Sequence, residues 1–155
     1  MTLTDVQEAV DRILSRGGSD EQILQGVVDA LERVDHYSWV GIYLVDGDDL
    51  VLGPWNGPQA TEHVRIPVGQ GVCGAAAASG ATEVVDDVNA DPRYVACFPS
   101  TRSEIVVPIF HEGRVVGEID IDSDRPAAFG EDDRAALERI ALQIGRSCVP
   151  AGDRH

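Results

Sequence analysis

Three acidic side chains alternate with two isoleucines over residues 118–122, EIDID. Successive side chains of a β-strand point to opposite faces, so Ile119 and Ile121 would share one face and Glu118, Asp120 and Asp122 the other. Neighbouring carboxylates on that face would stand roughly 7 Å apart. Two environments fit the pattern. One is a solvated sheet face, and the other is a pocket where burial and mutual repulsion raise the pKa of a carboxyl until it can donate a proton.

The chain has three cysteines, and their wide spacing excludes a disulfide framework and a zinc knuckle. Cys97 lies in a long polar segment with arginines on both sides, and their positive charge could lower the pKa of its thiol and make it a nucleophile. The alternative is a cysteine that is buried under the loop as a small hydrophobic residue. Cys73 follows Gly69–Gly71 at a predicted helix start, where free N–H groups can hold a carboxylate or a thiolate. Close backbone packing is the alternative there. Cys148 ends an apolar helix face and is predicted to be structural.

Trp39 and Tyr43 share one face of a predicted strand, with Gly41 between them. Two aromatic rings that flank a glycine can leave a slot for a small ligand, and the alternative is that both rings belong to the core.

The spacing of possible metal ligands gives little support for a metal site anywhere in the chain. Asp120, Asp122, Asp124 and Glu131 have the spacing of an EF-hand loop, but an arginine replaces its glycine and a strand precedes it. No pair of histidines has helical ligand spacing, and a mixed site of His63 with Cys73 and Cys97 is a weak alternative. We therefore predict no metal.

Composition narrows the function classes. The 155 residues include 27 acidic and 12 basic residues, and every basic residue is arginine, so the formal net charge is −15. Without lysine there is no Schiff base and no P-loop lysine. The negative charge argues against nucleic acid and anionic membranes as partners. No apolar run reaches the roughly 20 residues of a membrane span, and the N-terminus lacks a signal peptide. We predict a cytoplasmic protein.

The candidate residues require a scaffold of helices at both ends and strands between them. The predicted single domain covers residues 1–155, with N-terminal helices over about 4–35, sheet and pocket over about 38–123, and a C-terminal helix over about 131–148. Thr4 with Gln7 and Ser19 with Gln22 are predicted capping boxes. This order predicts an α+β domain with helices packed on one sheet face. The predicted strands are 38–45, 50–55, 64–68, 83–85, 104–110 and 114–122, with a small-residue helix at 72–79.

Five segments, in this order and spacing, resemble the free methionine-(R)-sulfoxide reductases, which are single GAF domains. The match runs from about Ser38 to the last helix, roughly two-thirds of the chain. The segments are SWVGIYL (38–44), LVLGPWNG (50–57), VRIPVGQGVCG (64–74), VACFPSTRSEIVVPI (95–109) and GEIDIDSD (117–124).

The resemblance implies a six-stranded antiparallel sheet with a pocket under loops on the face opposite the helices. It implies a homodimer that reduces free methionine-R-sulfoxide through a cysteine sulfenic acid and a disulfide, with thioredoxin as external reductant and no cofactor. Cys97 matches the catalytic cysteine and Cys73 a second redox cysteine. The implied pocket carboxylates are Glu104, Asp120 and Asp122, and the implied substrate contacts are Trp39, Tyr43 and Val72.

The chain departs from the family pattern at three places. Many members carry a further, often resolving, cysteine near the position of His63, but Thr61–His63 contains no thiol. Cys73 or an external thiol would then have to react with the sulfenic acid of Cys97. Phe98 stands where aspartate is often found, and Glu118 where an apolar residue is usual. A GAF module that binds a small ligand, or a redox sensor without turnover, is the alternative function.

Overall fold

The structure is a computed structural model that describes residues 1–93 and 98–148. Its helices are α1 (Leu3–Arg16), α2 (Asp20–Glu32), α3 (Gly71–Ser79) and α4 (Glu131–Ser147), with a 3-10 turn at Val88–Ala90. Within these two stretches, every helix is too short or too polar to cross a membrane.

The N-terminus of α1 differs from the predicted one. The Thr2 hydroxyl accepts the Asp5 N–H at 3.1 Å, and the Asp5 carboxylate accepts the Thr2 N–H at 3.1 Å. The predicted Thr4–Gln7 capping box is therefore wrong, because the N-cap is Thr2, two residues earlier, and the carboxylate of Asp5 completes its capping box. The Ser19–Gln22 box that begins α2 is confirmed.

The strands form one antiparallel sheet, as predicted. Its spatial order is β3-β2-β1-β6-β5-β4, so β1 and β6 lie at the centre. The strands are β1 (Trp39–Asp46), β2 (Asp49–Asn56), β3 (Arg65–Pro67), β4 (Glu83–Val85), β5 (Ser103–His111) and β6 (Arg114–Ser123).

The main core lies between one sheet face and the helices α1, α2 and α4. Ile119 and Ile121 of β6 point into it, and Ile105 and Val107 do the same from β5. Burying four such side chains stabilises the fold by roughly 1.5–3 kcal/mol each and fixes the register of the two strands.

A second, smaller core lies on the opposite face, under α3. Val72 and Ala76 of α3 pack there against Tyr43, Leu50 and Val106 of the sheet. The predicted fold class is confirmed, but the placement of helices on one face holds only for α1, α2 and α4. The side chains of α3 are nearly all small, which lets the helix lie close to the sheet on the face that carries the acidic residues.

Candidate active site

The acidic residues of β5 and β6 share the sheet face beneath α3. Pairing of the two strands sets Glu104 opposite Asp122 and places Asp120 between Gly41 of β1 and Val106 of β5. A shift of one residue would exchange the isoleucines and the carboxylates between the faces, so the main core fixes this arrangement.

These carboxyl groups are buried. Glu104, Glu118, Asp120 and Asp122 are each at most 3% exposed. The solvated-face interpretation of the EIDID strand is therefore wrong, and the EF-hand alternative fails with it because Asp120 and Asp122 lie within β6. The sequence pattern did not reveal the burial, because the cover comes from α3, some 45 residues earlier in the chain.

Burial changes the protonation of the cluster. Loss of solvent raises the pKa of Glu118 and of Asp122 well above the usual range, and the charge of Asp120 adds to both shifts. Burial also raises the pKa of Asp120, against opposing hydrogen bonds with Glu104 and Cys73. Among the described residues, both Glu118 oxygens and the Oδ1 atoms of Asp120 and Asp122 have no hydrogen-bond partner. The cluster can therefore hold protons at neutral pH, or bind a cation.

Cys73, at the third position of α3, faces this cluster and is 7% exposed. Burial raises the pKa of its thiol well above the usual value, and the charges of Asp120 and Glu104 raise it further. Burial, with the neighbouring carboxylates, outweighs the helix N-terminus, so the resting protein does not favour the thiolate form of Cys73.

A cavity of about 240 Å³ opens between α3, the β3 segment and the carboxylate face. Of the predicted site residues, Tyr43, Val72, Cys73, Glu104 and Asp120 line it. Asp122 lies behind this wall, where its Oδ2 accepts the Thr101 hydroxyl at 3.3 Å. Sequence analysis did not assign four further lining residues to the pocket, which are Arg65, Ile66, Pro67 and Gln70, and it named His63 only as a weak metal candidate.

The N-terminus of α3 forms one wall of this cavity and has no side-chain cap. Such an end offers backbone N–H groups to an anion. A Cβ on Gly74 would lie 2.7 Å from the Pro67 carbonyl oxygen and 2.9 Å from the Gly69 nitrogen. The glycine-rich turn therefore serves close backbone packing, and the same packing places the free helix end beside the carboxylates.

The two aromatic residues of β1, Trp39 and Tyr43, have different surroundings. The Trp39 indole lies across Gly41, where a Cβ would collide with its Cη2 and Cζ3 atoms, so the predicted ligand slot is filled by Trp39 itself. Trp39 stacks on Trp55 at 6.3 Å between ring centroids and contacts Phe98 at 5.7 Å. It does not line the cavity, whereas Tyr43 does and donates its hydroxyl to the His63 carbonyl oxygen at 2.7 Å.

Comparison with known proteins places this geometry in a family. The model of the GAF domain matches residues 20–148. Free methionine-R-sulfoxide reductase of Escherichia coli is 39% identical over 113 residues, which are 73% of this chain and 67% of that protein. The X-ray structure of free methionine-R-sulfoxide reductase from Neisseria meningitidis, in complex with its substrate, superposes with a TM-score of 0.88 at 38% identity, covering 98% of this chain and 90% of that one.

The chain belongs to the free methionine-R-sulfoxide reductase family of GAF domains. A second family structure, of the reduced form from Staphylococcus aureus, is 34% identical and superposes with a TM-score of 0.87 over 96% of both chains. The likeness extends to the N-terminal helices, which the resembling sequence segments did not include.

The predicted roles of Cys97 and Cys148 stay predictions. Cys97 lies outside the described residues, so its catalytic role rests on the sequence resemblance. Cys148 is fully buried in the main core, on the sheet face opposite Cys73, and this supports the prediction that it is structural.

Proposed function

We propose that this chain reduces free L-methionine-(R)-sulfoxide to L-methionine, working as a single GAF domain over residues 1–155. The observation that carries the proposal is the small cavity that joins a thiol, a buried acidic wall and an uncapped helix end. Its relative from Neisseria meningitidis, 38% identical over nearly the whole chain, has a structure in complex with its substrate.

The cavity offers a counterpart for each part of a free amino acid. Glu104 and Asp120 on its wall suit the ammonium group, and the α3 N-terminus at Gly71 and Val72 suits the carboxylate. Tyr43 gives an apolar surface for the thioether methyl. Trp39 would contact the substrate only if its ring moved from its place over Gly41. A cavity of about 240 Å³ is large enough to admit a free amino acid.

The proposed chemistry begins with Cys97. Its thiolate attacks the sulfoxide sulfur and forms an S–S bond while a buried carboxyl protonates the oxygen. The resulting hydroxyl passes from the methionine sulfur to the Cys97 sulfur as the S–S bond breaks, which releases methionine and leaves Cys97 as a sulfenic acid. Glu104 and Asp120 are the candidate donors because they line the cavity, whereas Asp122 lies behind them. The donor is left as a carboxylate.

Cys73 is the proposed resolving thiol. The carboxylate left by the first step can take the proton of Cys73, which then attacks the Cys97 sulfenic acid, forming a disulfide and releasing water. This route compensates for the raised pKa of the resting Cys73 thiol. Thioredoxin would return both thiols by disulfide exchange, and we propose a cytoplasmic location, because thiols are kept reduced there. We also propose a homodimer, as the family resemblance implies.

Turnover of the R and S epimers of free methionine sulfoxide tests the proposal. We expect reduction of the R epimer with either thioredoxin or dithiothreitol, loss of activity in Cys97→Ser, and wild-type activity in the control Cys148→Ser. Activity that survives Cys97→Ser would refute the mechanism. Turnover with dithiothreitol but not with thioredoxin would remove Cys73 as the resolving thiol. Binding of methionine sulfoxide without any turnover would favour the ligand-binding module.

The proton donor has a test of its own. Asp120→Asn keeps the shape of the side chain but cannot donate as an acid, so kcat/KM should fall by about 10²–10⁴-fold. The matched control is Asp124→Asn, an exposed aspartate just after β6. Because burial raises the pKa of Asp120, the wild-type activity should decline as pH rises through that value, and the decline should be absent in Asp120→Asn. An unchanged kcat/KM in Asp120→Asn would transfer the role to Glu104.

A further inference from the structure

Three atoms that could bind a metal, one thiol sulfur and two carboxylate oxygens, lie close together at the cavity wall. The Cys73 Sγ, one Glu104 oxygen and one Asp120 oxygen all lie within 4.8 Å of one another, and all three residues are buried. Around a tetrahedral zinc ion, bonds of about 2.0–2.3 Å place ligand atoms about 3–4 Å apart. Side-chain rotations that move these atoms by about 1 Å would close the set around one ion.

Unpartnered oxygens around this set point to a cation. Asp120 Oδ1 and both oxygens of Glu118 are buried without a hydrogen-bond partner in the described part of the chain. A buried acid without a hydrogen-bond partner is costly whether it is neutral or ionised, and a cation bound at this point would give these oxygens a partner. Arg65, on the cavity wall, is held instead by Asp46 at 3.1 Å and Asp49 at 2.8 Å.

We propose that Cys73, Glu104 and Asp120 bind one divalent ion of the zinc class. A thiolate among the ligands selects zinc or cobalt over magnesium and calcium, which prefer oxygen alone. Three singly charged ligands around a doubly charged ion leave one negative charge, far less than the ligands carry when ionised without the ion. The cavity beside these three residues leaves room for water to complete the shell.

This site overlaps the one proposed for the substrate ammonium. The ion and the ammonium need the same oxygens of Glu104 and Asp120, and the ion also holds the Cys73 sulfur. Zinc would therefore be a reversible inhibitor of the proposed reductase, competing with methionine sulfoxide. That consequence rests on the proposed function, whereas metal binding itself does not.

Cobalt titration tests the site without any enzymatic assay. A thiolate bound to Co²⁺ gives a charge-transfer absorption band, and a Cys97→Ser background leaves only Cys73 and Cys148 as possible thiol ligands. We expect one Co²⁺ per chain with this band, displaced by Zn²⁺, and loss of the band in Cys73→Ser. Cys148→Ala is the matched thiol control and should keep it. Asp120→Asn should weaken Co²⁺ binding by about 10-fold or more.

The outcomes separate clearly. Absence of stoichiometric Co²⁺ and Zn²⁺ binding to the Cys97→Ser protein would overturn the proposal, and so would a band that persists in Cys73→Ser or disappears in Cys148→Ala. The rate of alkylation of Cys73 gives a second readout, in which Cys73 itself is not mutated. Zn²⁺ should slow it at least about 10-fold in the Cys97→Ser protein, and much less in Asp120→Asn. An equal rate with and without Zn²⁺ would contradict the site.

Discussion

Glu118 is the acidic residue with the least support from its surroundings. It lies between Tyr43 and Pro108 in the sheet and is fully buried. Neither of its oxygens makes a hydrogen bond of good geometry among the described residues, and the Cys73 thiol is the group that favours its charged form. It does not line the cavity, so nothing in the proposed chemistry requires its charge. Its raised pKa means that it is held as a neutral acid, at a cost to folding.

Replacing this acid with a hydrocarbon should stabilise the protein. Glu118→Leu removes the unpartnered polar group at similar volume, and we expect the free energy of unfolding at pH 7 to rise by about 1–3 kcal/mol. Urea denaturation in the presence of EDTA measures the change. The control Glu8→Leu, at an exposed position of α1, should stay within about 0.5 kcal/mol of the wild type. Destabilisation by Glu118→Leu would mean that the carboxyl has a structural role.

At the scale of elements, the position of α3 determines the shape of the candidate active site. Its N-terminal turn packs against the chain at Pro67 and Gly69, and the contact depends on the missing side chain of Gly74. The Gly69 N–H donates to the Gly74 carbonyl oxygen at 2.8 Å, which fixes the turn on the helix. The cavity owes its shape to this contact because β3 and α3 are its two sides.

Gly74→Ala should therefore damage both stability and ligand binding. The new Cβ meets backbone atoms that cannot rotate away, so we expect a loss of about 1–3 kcal/mol in the free energy of unfolding and a higher KM for methionine sulfoxide. Gly130→Ala is a suitable control, because a Cβ there meets only a side-chain oxygen of Asp133 at 4.0 Å. Wild-type stability and KM in Gly74→Ala would show that α3 can shift without consequence.

Sequence reasoning located the elements better than it located their surroundings. Alternation of Ile119 and Ile121 with the acidic residues predicted the strand and its two faces, because side-chain direction follows from local geometry. It could not show that the acidic face is covered, since that depends on α3 packing from far along the chain. The pocket positions of His63 and Gln70 were missed for the same reason. Trp39 was misjudged because an alternating pattern says nothing about the rotation of a side chain over its neighbouring glycine.

At the scale of the whole molecule, two kinds of acid act on stability in the same direction. The surface contributes to a net charge of −15, and its self-repulsion grows as carboxylates ionise. The buried acids Glu118, Asp120 and Asp122 have raised pKa values, so the folded protein keeps protons that the unfolded chain releases. Their stabilising contribution is complete below about pH 4 and is lost as pH rises through the raised values.

The melting temperature should therefore fall from pH 5 to pH 8 when EDTA keeps the protein free of metal. Each buried carboxyl that stays protonated contributes up to about 1.4 kcal/mol per pH unit. Calorimetry at low salt and near 1 M salt separates the two kinds of acid, because salt screens the surface charges and leaves the buried ones unaffected. The slope that remains at high salt should be smaller in Glu118→Leu. Stability that is constant or increases with pH at high salt would contradict the buried protonation.

The two outer strands of the sheet are its shortest. β3 and β4 have three residues each, and β3 ends in Pro67, which has no N–H to donate. The outer strands themselves therefore offer few backbone groups to strand addition from another chain, the route by which β-proteins form fibrils and intertwined assemblies, although they pair with only residues 49–51 of β2 and 104–106 of β5. Strong negative charge keeps approaching copies apart as well. Concentrated solutions of this protein should therefore resist aggregation through these two outer strands.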